Sequence, residues 1–282
     1  MTKVFVSIDM EGIAGIATLQ QVWRGSDDYP ASRLLMTEEA NATVAGAFAG
    51  GATSVVVNDS HGDMANLLPE QMDPLAELLI GTPKAWSMMQ GFGSEFAVAL
   101  FIGYHARAGT ESAVLDHTYS GRLFLDVRVN GQSVTEAELN AALAGTYGVP
   151  IGLITGDDKA CAQAAERIPG IRTVVVKEAY GRGVAKSLHP SAARDAIRAA
   201  AADAVAAAGG GGLQPYRIAA PVELEADLAN TSCADLCALA PGVRRVGSRT
   251  VRFETDDFRE AFRCLLAWTY LGASEAPRYA GT

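Results

Sequence analysis

Apolar residues fall into two spacings along this chain. Short unbroken runs alternate with longer stretches of helical period through the first two thirds. The runs include Val4-Phe5-Val6-Ser7-Ile8, Ser54-Val55-Val56-Val57, Ala99-Leu100-Phe101-Ile102, Pro150–Thr155 and residues 171–177. Runs of this kind predict strands buried on both faces. A weaker strand is predicted at Ala76–Ile80, and Leu123–Val129 alternates apolar and polar residues as a half-exposed strand does. Asn130-Gly131 then supplies a turn. A helix is predicted from about Arg33 to Ala49, with Leu34, Leu35, Ala42, Val44, Ala45 and Phe48 on or near its apolar stripe and Gly50-Gly51 as its stop. Further helices are predicted at about Thr135–Tyr147 and 158–167, and a long polar loop at about 12–30. This alternation predicts a three-layer α/β/α domain with a mostly parallel sheet, over residues 1–190.

The pattern changes beyond residue 190. Ser191, after Pro190, is placed to cap a helix, and Ala192–Ala208 is alanine-rich up to the break at Gly209-Gly210-Gly211-Gly212. A strand at Tyr216–Glu225, a helix at Asp227–Leu239, a strand at Val243–Phe253 and an amphipathic helix at Asp257–Leu271 follow. Residues 191–282 are therefore expected to form a smaller α+β carboxy-terminal domain.

Composition narrows the function. At 282 residues and 49% hydrophobic, the chain can bury a substantial core. A net charge of −9 argues against a nucleic-acid partner, which needs a basic face. None of the four cysteines forms a Cys-x-x-Cys pair, and Cys233 and Cys237, one helical turn apart, read as small buried apolar residues. No apolar stretch reaches the roughly 18 residues of a membrane span. Met1-Thr2-Lys3 leads straight into a strand with no signal peptide, so a cytoplasmic location without a membrane partner is expected.

Three strand-like runs end in carboxylates or imidazoles near glycine: Asp9-Met10-Glu11-Gly12, Asn58-Asp59-Ser60-His61-Gly62 and Gly103-Tyr104-His105-Ala106. Ligands of an open parallel sheet bind in the crevice beyond the carboxyl ends of its strands. If these strands are neighbours, Asp9, Glu11, His61 and His105 converge there. Two carboxylates and two imidazoles suit zinc or another transition metal. A carboxylate can also bridge two metals through its two oxygens, and ions roughly 3.5–4 Å apart can share and activate one water. Simpler explanations exist for each residue. Asp9 can end a strand and Glu11 can sit in solvent. Asn, Asp, Ser and Gly are turn formers, which accounts for the 58–62 segment except its imidazole. Asp59 suits a supporting role beside a ligand. It is the conjunction of two such histidines with the acidic pair that favours a metal site.

Other candidates are less determined. His117, in Leu115-Asp116-His117-Thr118, suits a general acid/base or nucleophile beside a metal, or a loop histidine satisfied by Asp116. Ser133-x-x-Glu136 and Thr135-x-x-Glu138 both fit capping boxes, so periodicity does not choose Glu136 over Glu138 as a ligand. Asp157 and Asp158 are expected to cap the following helix, and His189 to be structural. No phosphate-binding loop and no Gly-x-Ser-x-Gly elbow occurs.

Several motifs in order carry a resemblance: Ser-Ile-Asp-Met-Glu-Gly at 7–12, Met-Thr-Glu-Glu-Ala-Asn at 36–41, Val-Asn-Asp-Ser-His at 57–61 and Gly-Tyr-His-Ala-Arg at 103–107. Asn130 through Glu136 to Asn140-Ala141, and Gly156-Asp157-Asp158, extend it. In these the chain resembles the D-aminopeptidase family, most densely over residues 4–160. The resemblance implies two zinc ions per subunit. It implies Asp9 as the bridge, Glu11 and His105 on one ion, and His61 and Glu136 on the other, so selecting Glu136 over Glu138. His117 matches the family's proposed nucleophile, although the segment from His105 to His117 is one residue longer than in the family's bacterial prototype. A self-compartmentalising homo-oligomer, a ring-shaped decamer, is also implied.

The expected function is thus a dinuclear zinc aminopeptidase releasing N-terminal D-amino acids from short peptides or amides. Alternatives are a metal-dependent amidohydrolase acting on another small amide, or a non-catalytic peptide-binding protein.

Overall fold

The computed structural model describes residues 1–277. In chain order the elements are β1 (Lys3–Ile8), α1 (Leu19–Val22), α2 (Tyr29–Ala49), β2 (Ser54–Asp59), β3 (Ala76–Leu79), β4 (Val98–Tyr104), β5 (Phe124–Val129), β6 (Gln132–Ser133), α3 (Glu136–Thr146), β7 (Ile151–Asp157), α4 (Asp158–Arg167), β8 (Arg172–Gly181), β9 (Val184–Ser187), α5 (Pro190–Gly209), β10 (Val222–Leu228), α6 (Thr231–Cys237), β11 (Arg244–Arg245), β12 (Thr250–Thr255) and α7 (Phe258–Gly272).

Seven strands form one sheet in the order β3-β2-β1-β4-β7-β8-β9. Every pairing in it is parallel except β8–β9. Strands β4 and β7 are buried along their whole length, as continuous apolar runs predict. Helices α2 and α5 cover one face, and α3 and α4 lie on the other, giving the expected three layers. Helix α2 begins at Tyr29, before the predicted Arg33, because Pro30 sits in its first turn, where a missing N–H costs nothing.

A second, five-stranded antiparallel sheet has the order β11-β12-β10-β5-β6. Its strands come from both sides of residue 190, since β5 and β6 pair with the carboxy-terminal strands. Conversely α5, from beyond residue 190, packs on α2 in the first layer. Glycine makes that contact possible: a Cβ on Gly46 would lie 2.3 Å from the Arg198 carbonyl oxygen. The alanine run of α5 presents the small side chains that a close helix pair needs.

Two carboxy-terminal strands differ from expectation. Strand β10 starts at Val222 rather than Tyr216, directly after Pro221, which has no N–H to give a ladder. The predicted 243–253 strand is split into β11 and β12 by a turn closed by Val246 N–H to Thr250 O, 3.0 Å. Asn230 caps α6 by accepting the Cys233 N–H at 2.9 Å. His189, not Ser191, caps α5. All four cysteines are free thiols. Among the described residues no helix is long and apolar enough to cross a membrane.

Candidate metal centre

Three adjacent strands deliver the cluster. Asp9 directly follows β1, His105 directly follows β4, and His61 lies just past β2. Glu11 comes from the turn after β1, and Glu136 is the first residue of α3. The turns can cross only because two positions lack a side chain. Gly12 N–H donates to Gly103 O at 2.7 Å, and a Cβ on Gly12 would lie 2.1 Å from Tyr104 O. Gly103 has φ +68°, in the left-handed region that glycine alone enters freely, and a Cβ there would lie 2.3 Å from Asp9 O.

Asp9 occupies the middle. Its Oδ1 is 3.3 Å from His61 Nδ1, and its Oδ2 is 3.4 Å from His105 Nε2. Glu11 Oε2 is 3.0 Å from His61 Nδ1, and Glu136 Oε1 is 3.3 Å from His105 Nε2. Donor atoms of Asp9, Glu11 and His105 lie within 4.8 Å of one another, as do those of His105, His117 and Glu136. The structure thus brings together all five residues that the sequence and the resemblance single out, and His117 with them.

The hydrogen bonds assign the imidazole tautomers. His61 Nε2 is 2.9 Å from Val22 O, His105 Nδ1 is 3.0 Å from Ala106 O, and His117 Nδ1 is 2.8 Å from Leu115 O. A carbonyl only accepts, so each of these nitrogens carries a hydrogen. In the neutral form of each ring the opposite nitrogen then turns a lone pair inward, toward carboxylate oxygens that also only accept. His105 Nε2 is buried with no hydrogen-bond partner. Acceptors facing acceptors require positive charge between them, and a backbone carbonyl fixing each ligand ring is the usual support of a metal site. This donor set fits zinc.

Without an ion, the balance falls on protons. Burial, with Glu11 adding to it, pushes Asp9 up to about 7. Burial acts the same way on Glu11, but His61 and the other two histidines hold it well below the usual carboxylate range. Burial opposes charge on His105, yet Glu136 and Asp9 lift it to about 10. Burial and the neighbouring His105 hold His117 below its ordinary value.

His117 stacks on His105, with ring centroids 3.9 Å apart and an interplanar angle of 13°. Its Nε2 is 3.8 Å from Glu136 Oε1. Asp116 does not serve it: that carboxylate pairs with Arg182 and accepts the Gly109 N–H. The loop is held from below by Asp157, which accepts the Val114 N–H at 2.8 Å while capping α4 through Ala160 N–H at 2.7 Å. Asp158 instead accepts the Ala179 N–H.

Glu138 is taken up elsewhere. Thr135 and Glu138 form the capping box, which leaves Glu136 aimed at the histidines, its Oε1 also accepting the Tyr119 N–H at 2.7 Å. Asp59 lies outside the cluster and accepts Asn66 N–H, Asn66 Nδ2 and Leu67 N–H. Asn66 in turn donates to His61 O at 2.7 Å, so Asp59 holds the backbone of His61.

Sequence reasoning missed the supports beneath the ligands. Tyr104 Oη bonds Ser7 Oγ at 2.7 Å and Asn140 Nδ2 at 2.9 Å, tying β1, β4 and α3 together. Lys177 Nζ donates to the carbonyls of Glu11, Ile13 and Ile16 at 2.6, 2.8 and 2.5 Å. Glu39 accepts the Ala14 N–H at 2.8 Å in the same loop. Glu39 lies within the 36–41 motif of the resemblance but was given no role there, and Lys177 in β8 carried no signal.

Two cavities open onto the cluster. One, of about 390 Å³, borders Glu11, His61 and His117; the other, of about 240 Å³, borders Asp9, Glu11 and Glu136. A buried carboxylate–imidazole cluster at the carboxyl ends of a parallel sheet, reached by clefts of ligand size, has the make-up of a metal-dependent enzyme. Comparison with known proteins specifies the class. The model of the D-aminopeptidase family matches residues 2–267. The D-aminopeptidase of Bacillus subtilis (strain 168) is 38% identical over 273 residues, covering 95% of this chain and 97% of the relative. A solved structure described as the Zn-dependent D-aminopeptidase DppA from Bacillus subtilis, a self-compartmentalizing protease, matches with a TM-score of 0.90 at 36% identity, over 100% of both chains. The chain belongs to the D-aminopeptidase family.

Proposed function

We propose that this protein is a zinc-dependent aminopeptidase that releases N-terminal D-amino acids from short peptides, with two zinc ions per subunit. The observation that carries the reading is Asp9, which turns one oxygen to His61 and the other to His105. A carboxylate so placed would serve two ions, and Glu11, His61, His105 and Glu136 would supply the remaining protein ligands, divided as the resemblance implies into Glu11 with His105 and His61 with Glu136. Zinc supplies Lewis acidity, polarising a peptide carbonyl and making water a better nucleophile at neutral pH.

The chain's own residues do the rest. The Val22, Ala106 and Leu115 carbonyls accept from the outer nitrogens of the three imidazoles and so aim their inward nitrogens at the cluster. His117 is assigned as the catalytic group. It borders both cavities, and its Nε2 lone pair is free to attack a carbonyl or to take and return a proton. The Zn-dependent relative, whose description includes self-compartmentalization, supports self-association, and we assign a ring-shaped decamer acting in the cytoplasm.

The test is a panel of D- and L-aminoacyl amides and short peptides on zinc-reconstituted protein, with elemental analysis and light scattering alongside. The reading expects D-selective release, close to two zinc per subunit and a mass near ten chains. Selective hydrolysis of L-substrates would overturn the stereochemical assignment. Zinc that stays at or below one per subunit would overturn the dinuclear site.

A further inference from the structure

His117 sits where the chain has no regular structure. Strand β4 ends at Tyr104 and β5 begins at Phe124, and the described residues between them form no helix or strand. Two residues close to His117 take left-handed backbone angles, Leu115 at φ +49° and Tyr119 at φ +58°. Large side chains rarely enter that region, so the surrounding contacts must hold these residues in it. Each aims a backbone group into the cluster. Leu115 O accepts from His117 Nδ1 at 2.8 Å, and Tyr119 N–H donates to Glu136 Oε1 at 2.7 Å.

The contacts of Leu115 and Asp116 lead to the tip of the β8–β9 hairpin, Arg182-Gly183. Leu115 N–H donates to Arg182 O at 2.9 Å. The Arg182 guanidinium donates to both the carbonyl and the carboxylate of Asp116. Arg182 therefore grips the two residues just before His117, one through its backbone and one through its side chain. Further restraints act inside the loop, where Asp116 accepts the Gly109 N–H at 2.8 Å and His117 N–H donates to Ala106 O at 3.3 Å. The same hairpin holds the Glu11 loop, through the three bonds from Lys177 in β8. One hairpin thus braces two of the loops that build the cluster.

Resting on the reading of His117 as the catalytic group of an aminopeptidase, we propose that Arg182 is a positioning residue for the reaction. It keeps Leu115 left-handed, so that the Leu115 carbonyl holds His117 Nε2 aimed at the cluster. The guanidinium acts through Asp116 and Leu115, and its loss lets the loop relax. A reacting group displaced by a fraction of an ångström loses rate even when every group is still present. None of the five candidate metal ligands lies in this loop, so metal content is independent of Arg182. Arg182 also borders the larger cavity, so the test has to separate positioning from contact with substrate.

The test compares Arg182→Ala with the parent, both full-length and zinc-loaded. The Arg182 side chain is 52% exposed, so its removal leaves the core intact. A D-aminoacyl dipeptide supplies kcat and KM, elemental analysis supplies zinc content, and hydrogen exchange read by mass spectrometry follows the amides of residues 112–118 without substrate. The variant is expected to lose at least about fivefold in kcat. KM should stay within about threefold of the parent's, with equal zinc. Exchange of the 112–118 amides should be faster by about threefold or more, with β4 unchanged. A kcat loss below about fivefold, a change carried by KM alone, or loss of zinc overturns the proposal. Unchanged exchange in the loop overturns it too, because Arg182 then does not hold Leu115. If the parent hydrolyses no peptide, the aminopeptidase reading fails, and exchange alone decides whether Arg182 positions His117.

Discussion

Thr135 and Glu138 hydrogen-bond to each other in both directions at the start of α3. Thr135 N–H reaches Glu138 Oε2 at 2.7 Å, and Glu138 N–H reaches Thr135 Oγ1 at 2.9 Å. This reciprocal cap commits Glu138 to the helix end and leaves Glu136 to the histidines. The two neighbouring glutamates should therefore fail differently. Glu136→Ala is expected to lose one of the two zinc ions. Glu138→Ala should keep its zinc but lose roughly 0.5–2 kcal/mol of stability, the usual cost of a lost cap. Elemental analysis and urea titration of both variants read the two effects. Zinc loss in Glu138→Ala alone would exchange their roles.

Asp9 has more to lose than Glu136. A carboxylate between His61 and His105 serves both halves of the cluster, whereas Glu136 faces His105 and His117. Asp9→Ala should abolish binding of both ions, and Glu136→Ala of one, measured as metal per folded subunit. The same single-ion loss in both variants would remove Asp9 from the bridging role.

His117→Ala should retain zinc and fold but lose roughly 10²–10⁴-fold in turnover, the range of a positioned acid/base group. His105→Ala is the comparison and should lose metal and activity together. Near-normal turnover in zinc-replete His117→Ala would assign the histidine to loop structure, through its bond to Leu115 O.

Glu39 gives the stability a pH dependence. Burial pushes it up to about 7 from 4.5, so the folded protein holds a proton there that the unfolded chain has released. Its contribution is complete below about 4.5 and is lost as pH rises toward 7. Stability relative to Glu39→Gln should therefore decline across that window, by on the order of 3 kcal/mol at most. Denaturant titrations at several pH values test this, and parallel curves for the two proteins would refute it.

Much of the centre was legible because it is local. Asp9, His61 and His105 each end an apolar run, and a parallel sheet places such ends on one edge whatever surrounds it. The choice between Glu136 and Glu138 was not local, since both frames fit a capping box. Only the direction of each side chain from the packed α3 separates them, and at sequence level the family resemblance stood in for that direction. The tautomers of the histidines were equally out of reach, because the Val22 carbonyl that orients His61 lies 39 residues away from it.

The order of apolar runs and helical periods determined by itself the layered α/β class, the mostly parallel sheet and the strand ends that carry the ligands, because spacing of 2 or 3.6 residues is a property of neighbouring positions. Tertiary structure alone decided which distant segments share a layer. Strand β5 pairs with β10, Leu224 opposite Val129, and α5 returns to α2 through Gly46. It also decided that Lys177 and Glu39 brace the loop of Glu11. Such contacts depend on the shape of a closed core, where a chain can satisfy its buried polar groups with partners that no local pattern announces.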